Sequence, residues 1–194
     1  MIKYLGSNKL KIAVFISGNG SNLKSLIKFS FVKKSPIKIS FVVSNNTNSK
    51  GLYFAKKFQI KSKTYKFKNK IKDENQILKY LKKNNIKMIC LAGFMKILSK
   101  QFIKKYDGKI LNIHPSLLPK YKGLNTHFRV IENNEKFSGC TVHFVNYKLD
   151  SGKIILQKKV KISNKDTPKS LSKKILKQEH LLYPKAILKV ISNL

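Results

Sequence analysis

The sequence predicts an α/β fold built around a mainly parallel sheet, and three observations predict it. Short β-branched apolar runs alternate with stretches of helical period from residue 11 to about residue 112. The first run ends in a glycine-containing turn that opens a helix, as in parallel units. The last third changes to strict alternation, which suits an antiparallel pair, and then to one long amphipathic segment.

The first run is Lys-Ile-Ala-Val-Phe-Ile at 11–16, followed by Ser17-Gly18-Asn19-Gly20-Ser21-Asn22 and a helical pattern through Leu23, Leu26 and Ile27. Such an unbroken apolar run suits a strand buried on both faces. Ile37 to Val43 forms a second strand, closed by the polar cluster Ser44-Asn45-Asn46-Thr47-Asn48-Ser49. Residues 50–58 and 73–84 read as helices, with Tyr65 on a short strand between them. Ile86 to Leu91 is a further buried strand, Gln101 to Tyr106 a short helix, and Lys109 to Asn112 a strand leading into prolines. Gly139 to Asn146 alternates, and Gly152 to Val160 follows as the second arm of a hairpin. Pro168 suits the first turn of a long helix towards Tyr183, where Pro184 is expected to kink or break it. The expected architecture is one Rossmann-like domain over 1–194, with helices on both faces and a carboxy-terminal hairpin plus long helix. Residues 1–10 form a short amino-terminal extension.

Composition narrows the function classes. At 42% hydrophobic the chain is ordinary for a globular domain, and its 194 residues can bury roughly 70% of the unfolded surface. It has no apolar run near the roughly 20 residues of a membrane span, and no signal-peptide pattern at its start. Cys90 and Cys140 are too few for a disulfide framework or a metal site and read as buried thiols in a reducing cytoplasm. The net charge of +34 would suggest a polyanion partner. Yet only Arg129 among the 42 basic residues is arginine, and the lysines are spread over nearly every segment. Nucleic-acid readers exploit the guanidinium fork. The abundance of Ile, Asn, Lys and Phe fits an AT-rich coding sequence, with lysine on solvated faces and no specific nucleic-acid or membrane partner.

Three segments could carry chemistry. In Asn112-Ile113-His114-Pro115-Ser116-Leu117-Leu118-Pro119 the carboxamide and imidazole lie two apart, so on an extended segment both leave the same side. Asp150 follows 36 residues after His114. An amide donor beside an imidazole can hold an oxyanion and handle a proton, and a carboxylate can raise the imidazole pKa. The same residues fit a proline-rich surface loop. The turn at 17–22 offers tight backbone and free helix N–H groups to a phosphate. It lacks the third glycine of the dinucleotide fingerprint and the Gly-Lys-Ser/Thr of a P-loop, and it also fits an ordinary turn capped by Ser21 or Asn22. Leu91 to Leu98 follows a strand where α/β crevices open, and fits either a heterocycle pocket or core.

Taken together, these segments resemble the formyltetrahydrofolate-using formyltransferases, and among them the glycinamide ribonucleotide formyltransferases of purine biosynthesis. The resemblance runs from Lys11 to about Pro184. It rests on Ile16 to Leu23, Leu91 to Ser99, Leu111 to Tyr121, Val142-His143-Phe144-Val145 and Gln178-Glu179-His180. It implies a phosphate-binding half at about 11–110 and a catalytic and folate-binding half at about 111–194. Gly20, Ser21 and Asn22 would hold the ribose phosphate of glycinamide ribonucleotide, and Glu179 would contact that substrate. Met95, Lys96, Ile97 and Leu98 would line the pocket of 10-formyltetrahydrofolate, with Asn112 and Val145 beside it and Lys70 near its glutamate tail. Asn112, His114 and Asp150 would be the catalytic set. No metal is implied, and relatives occur as monomers or weak homodimers.

The chain departs from the family pattern at Lys96, where arginine is usual, at Asn125, where histidine is frequent, and at Ser151, where glycine is frequent and serine could stiffen the Asp150 loop. It ends at Leu194, short of many relatives. A formyltetrahydrofolate hydrolase shares Asn112, His114 and Asp150, but usually carries an extra amino-terminal domain, and only ten residues precede Lys11. Methionyl-tRNA formyltransferases carry a further tRNA-binding domain. An inactive basic RNA-binding protein is the alternative from another class, with salt-sensitive binding as its mark. His143 reads as a satisfied structural histidine, and His127 and His180 as residues of helical segments.

Overall fold

The computed structural model describes residues 9–193. The extension read at 1–10 therefore lies, up to residue 8, outside the described residues. Among the described residues, seven strands and six helices follow in the order expected of an α/β chain. They divide into two compact units, one ending at Leu111 and the other beginning at Asn112.

The first unit holds β1 (Leu10–Ile16), α1 (Ser21–Ser30), β2 (Ile37–Ser44), α2 (Gly51–Lys57), β3 (Ser62–Thr64), α3 (Lys70–Lys83), β4 (Met88–Leu91) and α4 (Lys100–Lys105). Its strands lie in the order β3-β2-β1-β4, and every pair is parallel. Central β1 explains the apolar run: Ile12 to Ile16 are all buried, as a strand covered on both faces requires. Leu23, Leu26 and Ile27 bury the inner stripe of α1. Tyr65, expected on the short strand, instead follows β3 and is buried just beyond it.

Strand β5 (Lys109–His114) begins in the first unit and ends in the second, two residues later than the sequence suggested. The second unit continues with α5 (Thr126–Glu132), β6 (Phe137–Phe144), β7 (Ile154–Lys161) and α6 (Pro168–Ile191). The hairpin is confirmed: β6 and β7 pair antiparallel, with Thr141 opposite Gln157 and a register shift between Val142 and His143. Helix α6 packs on both hairpin strands.

Pro184 does not end that helix, which runs on to Ile191. A proline inside a helix costs about 3 kcal/mol. Ile187, Val190 and Ile191, all buried beyond it, each contribute roughly 1.5–3 kcal/mol by leaving water. Their burial outweighs the lost backbone bond. At its start α6 is capped by Thr167, whose hydroxyl accepts from Ser170 N while the Ser170 hydroxyl accepts from Thr167 N.

Candidate functional site

The second unit gathers the residues singled out for catalysis. Because β5 runs as far as His114, Asn112 and His114 do leave one side of an extended strand, with Ile113 turned into the core between them. Asp150 lies in the link between β6 and β7, at φ 44. Its carboxylate meets three groups, two on β5 and one in the segment that follows it. Oδ2 accepts from Gly123 N at 2.9 Å and faces His114 Nδ1 at 3.4 Å. Oδ1 accepts from Asn112 Nδ2 at 3.3 Å.

A fourth group, His143, expected as a structural histidine and not as part of the catalytic set, belongs to this cluster. It is only 2% exposed on β6. Its Nε2 stands 3.2 Å from Asn112 Nδ2 and 3.6 Å from Asp150 Oδ1. Its Nδ1 lies 2.8 Å from the Phe144 carbonyl, an acceptor, so Nδ1 carries a proton. In the neutral ring Nε2 is then a lone pair that accepts from Asn112. The two acceptors orient the Asn112 carboxamide with its NH₂ towards the carboxylate. One amide hydrogen can be shared between His143 Nε2 and Asp150 Oδ1, leaving the second for another oxygen. The structural role expected for His143 is correct, and what it holds in place is Asn112. The clue in the sequence was a histidine on the Thr141–Val145 face of an alternating strand.

The segment after β5 is anchored by side chains of the hairpin. Thr141 Oγ1 donates to Ser116 O at 2.6 Å and accepts from Leu118 N, while Gln157 Nε2 donates to Leu118 O at 2.9 Å. The Leu118–Pro119 peptide is cis. This anchoring brings the Tyr121 carbonyl to 2.8 Å from His114 Nε2. Backbone groups such as Tyr121 O and Gly123 N carry no sequence signal.

The electrostatics correct one expectation. Burial drives the His114 pKa below the ordinary imidazole value, against the upward pull of the Tyr121 carbonyl and Asp150. Asp150 does act in the expected direction, but desolvation wins. For Asp150 burial alone would raise the pKa. Against it, the adjoining His143 ring, the Gly123 N–H and His114 hold it below the usual carboxylate value. Burial thus favours the neutral imidazole, while an acceptor at each ring nitrogen, Tyr121 O at Nε2 and Asp150 Oδ2 at Nδ1, favours the imidazolium, and Asp150 is held towards its ionised form.

The other residues are distributed as follows. In the first unit, Gly20 is the N-cap of α1 at φ 70, and no side chain caps the helix, so neither Ser21 nor Asn22 has that expected role. A Cβ on Gly20 would overlap Gly51 Cα, so only glycine fits there. Met95 and Ile97 are 66% and 64% exposed, Lys96 is exposed, and Leu98 is buried. Lys70 begins α3 behind Asn69, whose side chain accepts from Lys72 N. In the second unit, Val145 directly follows β6 and Glu179 is buried on α6.

The departures from the family pattern also find places. Asn125 sits at φ 56 as the N-cap of α5, a conformation asparagine tolerates. Ser151 Oγ lies 3.1 Å from Asn146 Oδ1 and 2.9 Å from Lys148 O, and its one hydrogen serves these two acceptors, an extra tie on the Asp150 link. His127 is held below the ordinary imidazole pKa by burial and then by His114. Both cysteines are buried and neither forms a disulfide. Among the described residues no cluster of His, Cys, Asp or Glu could hold a metal ion, and no helix is long and apolar enough to cross a membrane.

Comparison with known proteins converges on one group. The phosphoribosylglycinamide formyltransferase of Haemophilus influenzae is 44% identical over 180 residues, covering 91% of this chain and 85% of that protein. The trifunctional purine biosynthetic protein adenosine-3 of Gallus gallus is 42% identical over 96% of this chain, which spans only 19% of its length. Among solved structures, the phosphoribosylglycinamide formyltransferase of Anaplasma phagocytophilum superposes with a TM-score of 0.89 at 41% identity, covering 96% of this chain and 88% of that one. That of Brucella melitensis gives a TM-score of 0.89 at 40% identity over 94% and 96%. The formyl transferase family model matches residues 10–187, so the chain belongs to the formyl transferase family.

Proposed function

We propose that the chain transfers the formyl group of 10-formyltetrahydrofolate to the amine of glycinamide ribonucleotide, a step of purine biosynthesis. The observation that carries this reading is the Asn112–His114–Asp150 cluster in a formyl transferase chain about 40% identical to named phosphoribosylglycinamide formyltransferases. The products are formylglycinamide ribonucleotide and tetrahydrofolate.

The substrate amine attacks the formyl carbon, a C–N bond forms, and the carbonyl electrons move to oxygen. The free Asn112 amide hydrogen stabilises that oxyanion. His114 begins neutral and takes the proton of the attacking nitrogen, directly or through water. The imidazolium that results is stabilised by Asp150 and adds a charged donor for the oxyanion once Nε2 exchanges Tyr121 O for it. The tetrahedral carbon then collapses, its bond to the folate nitrogen breaks, and His114 returns the proton to that nitrogen. Protons balance, and neither a metal nor an acyl-enzyme is required.

Gly20, Ser21 and Asn22 are assigned to the ribose phosphate, supported by the uncapped start of α1. Glu179 is assigned to the glycinamide substrate. Met95, Lys96, Ile97, Leu98 and Val145 are assigned to the folate, and Lys70 to its glutamate tail. The reaction is placed in the cytoplasm, in a monomer or weak homodimer, without nucleic acid or membrane as partner.

The test is folate release at saturating 10-formyltetrahydrofolate, with and without glycinamide ribonucleotide, using His114→Ala as control. Turnover that requires the ribonucleotide and vanishes in the variant is expected. Release without the ribonucleotide would assign a hydrolase instead. A folded but silent wild type would reject both.

A further inference from the structure

We propose that Ser17 is a positioning residue whose hydroxyl locks the phosphate-holding turn and the Met95 backbone into one fixed relation. This rests on the assignments of turn and segment above. Ser17 follows β1 directly and is half-buried. Its hydroxyl donates to Asn45 Oδ1 and accepts from Met95 N at 2.7 Å. A serine hydroxyl has one hydrogen. Committing it to Asn45 turns the oxygen lone pairs towards Met95 N, so Asn45 sets the direction and Ser17 transmits it.

The polar cluster that closes β2 has no role in the chemistry above, yet it holds the outer side of this turn. Asn46 Nδ2 donates to Ser17 O at 3.4 Å, and Ser49 Oγ donates to Gly18 O at 2.7 Å. Gly51 N donates to the same Gly18 carbonyl at 3.0 Å. The cluster is itself tied, Ser44 Oγ to Asn46 O and Asn48 N to Asn46 Oδ1. Two carbonyls of the turn are thus fixed from the β2 side.

On the other side, Ala92 N donates to Phe15 O at 2.8 Å as the chain leaves β4. The Phe94 ring packs edge-on against Phe15 and Phe67, at 5.4 and 5.6 Å between centroids. Met95 then turns outward and has no burial to hold it. Its backbone N–H on Ser17 is what registers the start of the folate-lining segment against the turn. Loss of that one bond should loosen turn and segment together.

The test compares Ser17→Ala, Ser17→Thr and Asn45→Ala with wild type by steady-state kinetics, thermal melting and peptide-resolved amide exchange. Ser17→Ala should raise KM for both substrates by about three- to tenfold, the worth of one hydrogen bond, with kcat within about twofold. Ser17→Thr, which keeps the hydroxyl, should restore both constants. Asn45→Ala should resemble Ser17→Ala, and the double variant should be no worse. Exchange over 18–22 and 92–98 should speed up together in Ser17→Ala. A change confined to one substrate or one segment, or failure of threonine to restore both, overturns the proposal. If the wild type shows no ribonucleotide-dependent transfer, the functional reading has failed. The exchange result still decides whether Ser17 locks the two segments.

Discussion

Replacing His143 tests the geometry of the cluster more sharply than replacing any residue of the expected catalytic set. Asn112 Nδ2 is held by two acceptors, His143 Nε2 at 3.2 Å and Asp150 Oδ1 at 3.3 Å. His143→Ala removes the first and leaves the second. A net hydrogen bond is worth about 1 kcal/mol, so correct orientation of the carboxamide should fall by roughly five- to tenfold. Complete loss of an oxyanion donor costs about 10²–10³, which bounds the effect from above. The expected result is a kcat about tenfold lower with KM nearly unchanged, because the oxyanion exists only in the transition state. The substitution also strips the Phe144 carbonyl of its N–H partner, a stability cost of about 1–3 kcal/mol. Turnover must therefore be referred to folded protein, measured by urea unfolding. His143→Gln can still present an acceptor to Asn112 and should recover most of the loss. A folded His143→Ala with kcat/KM within twofold of wild type would refute the claim that His143 orients Asn112.

Three further outcomes are expected. Gly20→Ala places a Cβ at φ 70 against Gly51 Cα; the left-handed conformation costs about 1–2 kcal/mol and the overlap about 1–3 more, visible in urea unfolding, and KM for the ribonucleotide should rise. Asp166, pulled down to about 2 by Lys174, Ser163 N and Ser170 Oγ, stabilises fully above its unfolded pKa of about 3.9 and progressively less as pH falls towards 2. Asp166→Asn should therefore lower the unfolding midpoint at pH 6, and the difference from wild type should close by about pH 2. Because burial depresses His114, the neutral base persists below the ordinary imidazole pKa of about 6.5, and the acid limb of kcat/KM should lie below that value. A rate that falls as pH rises through 6 to 7 would instead make the resting imidazolium the active form.

Where side-chain chemistry is local and periodic, the sequence was readable. Five consecutive apolar residues at Ile12–Ile16 could only be a strand covered on both faces, and Asn112 and His114, two apart, could only share a side once β5 was extended. Pro184 does not break α6, because the local rule is outvoted by tertiary burial of Ile187, Val190 and Ile191. The pKa of His114 falls below its ordinary value for a related reason. Proximity of a carboxylate can be guessed from motif residues, whereas the depth at which the pair is buried depends on packing from the whole unit. His143 was legible as buried but not as a partner of Asn112, since the contact joins β5 to β6. Helix α5 was only partly legible, because it is short and begins from an asparagine in a left-handed conformation, without a side-chain cap.

The placement of the acids bears on the net charge of +34. No acidic residue occurs before Asp73, and those that follow are mostly engaged. Asp73 accepts from Phe67 N, Glu74 accepts from both Ser99 N and Ser99 Oγ at the start of α4, and Asp107 pairs with Lys87. Glu135 takes Lys120 and Tyr121, Asp166 takes Lys174 and Ser170 at the start of α6, and Asp150 takes Gly123 N and Asn112. Burial, and then Glu179, pushes the Cys140 thiol up to about 12. Many lysines instead stand in solvent, and several lay their cations over rings: Lys24 on Phe54, Lys61 on Tyr80, Lys63 on Tyr65 and Lys159 on Phe137. Carboxylates thus occur chiefly where a specific donor needs them, while the ammonium groups form a solvated coat. A diffuse positive coat draws in anionic substrates at long range and is screened by salt, but it discriminates little among them. On the assignments proposed above, discrimination comes from the short bonds around Gly20, Ser17 and Asn112. Exchanging individual surface lysines for glutamine should therefore alter association rate and salt dependence while leaving kcat in place.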